Sequence, residues 1–312
     1  MARMNYKALV PLVLAAAIAF AQPVAFIAQE AGKAAEMLAA ARKAIGDKKL
    51  DALKTFSVQS ALQRNVQSLQ VSSDVEIVLD LPDKYLRSEA TTGGGMMMMA
   101  GGGLSGFNGD RPLQKLNGGS MPGGNMVIRM GGPGGAPPEG GGEKPTPEQL
   151  EQMSKAMVRN SQTDASRLML GWFATAHPAI TAQYTYAGEA ESPDGKAYVI
   201  DVKGANTFAA RLFIDEATHL PLMVTYKAPQ PRMMTRIGGA APVTPERIQE
   251  LQRTPPVVAD YTVFFDEWRD ADGLKFPFKM RRAMGGETIE EWTVTKVKVN
   301  PKVDPKRFAG ES

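Results

Sequence analysis

The 312 residues contain no cysteine. That excludes disulfides, thiolate metal sites and a lipid-modified N-terminal cysteine. Histidine is scarce as well: only His177 and His219 occur. Two separated histidines give no zinc spacing. No serine stands in a Gly-x-Ser-x-Gly setting, so neither histidine is placed for a Ser-His site, and both are expected to be structural or solvent-exposed. Acid pairs such as Asp270/Asp272 and Glu290/Glu291 fall at turns or on polar strand faces, where solvation is their expected role. Net charge is small, +3 by formal count, which argues against nucleic acid as a partner. Beyond the N-terminus there is no second long apolar run. Glycine-rich tracts are present, but Gly101-Gly102-Gly103 does not lie between a strand and a helix, as a phosphate loop requires.

The N-terminus reads as a secretory leader. Arg3 and Lys7 form the charged region, 8–20 the apolar run, and Ala19-Phe20-Ala21 a small-x-small cleavage signal. Residues 1–21 are therefore expected to be removed, leaving a mature start near Gln22. An uncleaved anchor is the alternative, but the run is short for a span and contains Pro11. Losing Arg3 and Lys7 takes the formal charge from +3 to +1. Export without disulfides points to the periplasm.

What the sequence has in quantity is alternation. Between 260 and 308 it predicts three strands, 261–268, 274–283 and 287–299. Ala259, Tyr261, Val263 and Phe265 share one face of the first; Leu274, Phe276, Phe278 and Met280 share one face of the second. Asp272-Gly273 supplies the positive φ that a tight hairpin needs. Pro277 lacks a ladder donor and predicts an edge or a bulge. In the third strand Trp292 and Val294 fall out of phase with Ile289, Val297 and Val299, which predicts a bulge near Glu291.

The same pattern recurs upstream. A helix is expected over 33–45, stopped by Gly46, then strands over 56–66, 71–81 and 84–90. In the second of these Val71, Val75, Ile77, Leu79 and Leu81 share a face; in the third Tyr85, Arg87 and Glu89 alternate with Leu86, Ser88 and Ala90. Residues 93–145 are dominated by Gly, Met and Pro and are expected to be a mostly disordered insertion around one hairpin, Gly106-Phe107-Asn108-Gly109-Asp110-Arg111. The methionines there, Met96–Met99, Met121, Met126 and Met130, are read as filler or as a flexible apolar brush rather than a Cu(I) site. Thr146-Pro147-Glu148 opens a helix, and Asp164 is expected to cap a second one ending at His177-Pro178. Strands follow at 181–189, 197–203, 208–215 and 220–227, then a second insertion, 229–256, holding a short helix at 245–252. Short connections between neighbouring strands mean antiparallel pairing.

The candidate site is the accumulated apolar face: Val75, Ile77, Leu79, Leu212, Ile214, Leu222, Val224, Phe276, Phe278 and Met280. Same-phase residues of neighbouring strands converge on one side of a curved sheet. Pattern alone leaves open whether that side is a closed core or a cavity sized for a lipid chain.

Several short motifs resemble the LolA/LolB-like envelope proteins. They are the strand-turn-strand Phe264-Phe265-Asp266-Glu267-Trp268-Arg269-Asp270-Ala271-Asp272-Gly273-Leu274-Lys275-Phe276-Pro277-Phe278 and the ending Val297-Lys298-Val299-Asn300-Pro301 through Phe308. The turn with Asp215, Thr218, Leu220 and Pro221, the early Leu81-Pro82-Asp83-Lys84-Tyr85 and the hairpin Phe107-Asn108-Gly109 add to them. The resemblance implies a mainly β (α+β) fold: a strongly curved antiparallel half-barrel covered by a few helices, here one domain over 22–312. It implies a carrier for lipid acyl chains or lipoproteins; with the residue reading above, the protein is expected to be non-enzymatic, periplasmic and monomeric, without cofactor or metal. The alternative is a sensor or scaffold of the same fold that binds an envelope partner protein. The two Gly/Pro-rich insertions depart from the compact carriers, and the missing cysteine from the lipid-anchored acceptor.

Overall fold

The computed structural model describes residues 24–66, 69–92, 103–116, 126–128, 146–192, 195–230, 232–234 and 255–309. The expected leader, most of the two insertions with the 245–252 helix, and all but Met126 of the methionines weighed for copper lie outside them.

Among the described residues three α-helices precede or interrupt the strands: α1 (Val24–Ile45), α2 (Lys48–Asp51) and α3 (Pro147–Phe173). The strands come in three meanders. The first is β1 (Thr55–Val66), β2 (Leu69–Asp80), β3 (Lys84–Thr92), β4 (Gly103–Asn108) and β5 (Arg111–Leu116). The second is β7 (Ala182–Ser192), β8 (Gly195–Gly204), β9 (Ala209–Asp215) and β10 (Pro221–Pro229). The third is β12 (Val258–Ala271), β13 (Leu274–Met284) and β14 (Glu287–Val299). Two short strands, β6 (Met126–Ile128) and β11 (Arg232–Met234), pair in parallel as a separate ribbon.

The main sheet has 12 strands in the order β5-β4-β3-β2-β1-β14-β13-β12-β10-β9-β8-β7. Every neighbouring pair is antiparallel. The seam is β1 on β14, running from Phe56 opposite Val299 to Arg64 opposite Glu290, so the first and last long strands of the chain join the meanders. Among the described residues the sheet stays open, with β5 and β7 at its edges. It is the curved, antiparallel, helix-covered half-barrel that the sequence leads one to expect.

Local chemistry explains the turns and ends. Asp272 and Gly273 adopt φ of 54° and 80°, the doubly left-handed turn whose twist matches the strands it joins. Pro277 lies where β13 pairs with β12 but not with β14, so its missing N–H orphans no partner. Strand β14 carries two irregularities rather than one at Glu291. Its register slips against β13 between Arg282 and Ala283, at Ile289, and against β1 between Gln59 and Ser60, at Thr295. Trp292 and Val294 lie between the slips, which is why they keep a phase of their own.

At the start of α3 the Thr146 hydroxyl accepts from the Gln149 N–H (3.2 Å), and the Gln149 side chain accepts from the Thr146 N–H (2.9 Å). The helix then runs unbroken to Phe173 and ends on Ala174 at φ 51°. Asp164 is therefore no cap but an interior residue of one long helix. No Gly or Pro stands between Glu148 and Leu170 to break it, and its carboxylate finds partners on the sheet instead.

Helices α1 and α3 lie on the concave face. Phe56 sits 5.0 Å from Phe173 and 5.2 Å from Phe276, and Trp172 5.1 Å from Phe276, centroid to centroid. The Trp172 indole N–H points at the Met280 sulfur, 3.2 Å away. The convex side has small clusters of its own, one around Phe213, Met223 and Phe264 and one around Val78, Leu86, Leu113 and Phe308. Among the described residues no helix is long and apolar enough to cross a membrane.

Candidate functional site

Eight of the ten residues picked from the sequence meet on one floor. Val75, Ile77, Leu79, Leu212, Ile214, Val224, Phe276 and Met280 are all buried in a single cluster on the concave face. Phe278 is half-buried against the same cluster. Leu222 is not there. The register of β10 slips between Pro221 and Met223, so Leu222 packs on the convex cluster with Met223 and Phe213. A bulge of one residue turns a side chain to the other face.

The floor is roofed. Ala34, Leu38, Ala41 and Ile45 of α1, and Val158, Leu168, Met169, Trp172 and Phe173 of α3, belong to the same buried cluster. In this structure the trough is filled by its own helices. A cavity of about 500 Å³ opens against β1 to β5, lined by Gln59, Asp74, Val75, Glu76, Glu89 and Lys115 among others. Asp74 and Glu76 alternate with Val75 and Ile77, which places these two carboxylates of its lining on the convex side.

One end of the trough is charged, and the sequence reading missed it. Tyr85, Arg87 and Glu89 of β3, Arg64 of β1, Arg282 of β13 and Glu290 of β14 stand in phase with floor residues of their strands. Arg64 bridges Glu290 and Glu89, each at 2.9 Å. Arg87 reaches Glu89 at 3.3 Å, and Arg282 reaches Glu290 at 3.4 Å. From the roof, Asp164 faces Arg87 and Arg282, both at 3.8 Å, and accepts from the Tyr85 hydroxyl at 2.7 Å. Arg167, three residues along α3, lies 3.8 Å over the Tyr226 ring, which stacks on Tyr261.

The charges set one another's protonation. Burial opposes ionisation of Glu290, but Arg282, Arg64 and Arg87 outweigh it and hold its pKa at about 2. Burial likewise opposes ionisation of Glu89, and Arg87 and Arg64 again prevail, lowering its pKa. Burial, then the neighbouring Asp164 carboxylate, pushes the Tyr85 hydroxyl well above its usual range, so it stays a donor. Arg167 is shifted the other way: burial lowers its pKa, and its Nε is buried without a hydrogen-bond partner.

The two histidines sit apart from this layer. His177 is fully buried, edge-on to Phe107 at 5.2 Å, with burial pushing its pKa down to about 4. His219 occupies a left-handed turn position and stacks on Tyr198.

No family model matches the chain, and no curated protein matches it. Solved structures do. The chain is similar to the LolA superfamily protein NE2245 from Nitrosomonas europaea, with 10% identity over 88% of this chain and 97% of that one and a TM-score of 0.47. A lipoprotein-sorting domain from Vibrio parahaemolyticus gives 11% identity over 89% and 97%, with a TM-score of 0.46. The Pseudomonas aeruginosa MucA/MucB complex gives 11% identity over 86% and 93%, with a TM-score of 0.21. The similarity anticipated from the motifs is thus found. At these scores it decides nothing about chemistry, which rests on this chain's own residues.

Proposed function

We propose that this chain is a non-enzymatic binding protein for the acyl chains of lipids or lipoproteins in the periplasm, and that α1 and α3 are a movable roof over the site. It works as one domain, secreted by removal of residues 1–21. The observation that carries this reading is the continuous apolar floor from β2 to β9, covered by α1 and α3. An acyl chain replaces roof side chains on that floor, and each methylene it buries contributes about 0.8 kcal/mol. The filled state of the trough favours a second reading, a scaffold that binds a partner protein and never opens.

A charge on the floor separates the two when paired with a charge off it. Phe278 is half-buried on the floor, and Leu222 is half-buried on the opposite face. With a fluorescent fatty acid, Phe278→Asp is expected to weaken binding at least tenfold with a near-native melting curve. Leu222→Lys is expected to bind like the wild type. A wild-type protein that takes up no acyl probe, and copurifies with no lipid by mass spectrometry, defeats the carrier and leaves the scaffold.

A further inference from the structure

The charged end of the trough holds four guanidiniums, Arg64, Arg87, Arg167 and Arg282, against three carboxylates, Glu89, Glu290 and Asp164. One positive charge is left over. Three of the arginines have carboxylate partners. Among the described residues Arg167 has none: it has a tyrosine face and a buried Nε with nothing to donate to. Buried polar groups are nearly always satisfied, so a buried, unpaired donor on the surplus cation points to an oxyanion.

We propose that this end of the trough binds the anionic head of an amphiphile, a carboxylate or phosphate oxyanion carried on an acyl chain, and that Asp164 occupies the position of that head while the roof is closed. Tyr85, Arg87 and Arg282 come from two different strands and converge on the Asp164 carboxylate. Charge-assisted donors grouped in this way recognise any carboxylate or phosphate. The Asp164 pairs are the loosest of the layer, at 3.8 Å against 2.9 Å for Arg64 with Glu290. Asp164 is also the least buried carboxylate of the three, its side chain 27% exposed against 12% for Glu89 and 7% for Glu290. It is the member most easily exchanged. Alignment supports the same reading: along β13, Phe276, Phe278 and Met280 lead straight to Arg282. Six residues of strand span about 20 Å, so a tail on the aromatic end and a head on the arginines fit one extended amphiphile.

The inference rests on the acyl-chain reading, and three probes keep the two apart: dodecanoate, its methyl ester and inorganic phosphate, each titrated calorimetrically against the mature protein. Dodecanoate is expected to bind at least tenfold more tightly than the ester. Asp164→Asn, which removes the internal competitor's charge, is expected to tighten dodecanoate severalfold and leave the ester unchanged. Arg167→Gln breaks no ion pair, so it is expected to fold normally and to shrink the preference for dodecanoate. Equal binding of dodecanoate and ester overturns the head site and leaves the acyl floor standing. Phosphate binding that tightens in Asp164→Asn, without dodecanoate binding, supports the oxyanion site with a free anion as its source. No binding by any of the three overturns both readings.

Discussion

Gly171 lets α3 lie close against β12. A Cβ there would overlap the Phe265 ring, which is 2% exposed and has no room to swing away. Overpacking of this kind costs about 1–3 kcal/mol. Alanine is the better helix former by about 1 kcal/mol, which offsets part of it. Gly171→Ala is therefore expected to lose up to about 2 kcal/mol by urea unfolding; a gain would show that the helix–sheet spacing is soft. Glu290 sets a second residue-scale outcome. Its pKa is about 2 in the fold, down from the 4.5 of an ordinary glutamate. A depressed carboxylate stabilises above its unfolded pKa and loses that stabilisation as pH falls through its folded one. The contribution, about 3 kcal/mol, is present at neutral pH, begins to fall near pH 4.5, and is about 2 kcal/mol smaller by pH 3. Urea midpoints between pH 6 and 3 check this: the wild type should fall more steeply than Glu290→Gln. Parallel slopes would mean the carboxylate is not held by its arginines.

Strands and helices were legible where one physical signal acted alone. β2, β9 and β13 show clean alternation, and the Asp272-Gly273 turn has chemistry that admits few other shapes. The sequence failed where two signals share one residue type. Asp164 is as good a cap as it is an ion-pair partner, and only its distance to Arg87 and Arg282 tells which. Leu222 alternates correctly on paper, but the slip in β10 turns it outward. The charged end was hidden for a related reason. Arg87 and Glu89 continue the phase of Tyr85, and a charged face is ordinarily the wet one. That the wet-looking end of β3 faces inward follows from its pairing, with Val75 opposite Glu89 and Ile77 opposite Arg87. The signal available in the sequence was that in-phase run of Tyr85, Arg87 and Glu89 opposite an apolar strand.

At the scale of the whole molecule, the difficulty for a carrier is the stability of its own roof. Lifting Leu168, Met169, Trp172 and Phe173 off the floor forfeits about 1.5–3 kcal/mol each, on the order of 10 kcal/mol in all. That is comparable to the entire stability of a typical domain, about 5–15 kcal/mol, so α3 cannot detach as a unit before a ligand arrives. It can open from one end. Its first turns, near Leu150 and Glu151, are exposed, its middle is held by Val158, the Tyr85 hydrogen bond and the long Asp164 ion pairs, and burial is continuous only over its last turns. Entry by peeling therefore begins at the N-terminal side of α3 and passes the charged end before it reaches the aromatics. Native-state hydrogen exchange resolves this residue by residue. Amides around 150–163 should exchange by local opening, those around 168–173 only with β1 and β14, and bound dodecanoate should slow the stretch around 160–167 most. If all of α3 exchanges with the sheet in a single global step, with or without ligand, the roof does not open, and the trough is a core rather than a binding site.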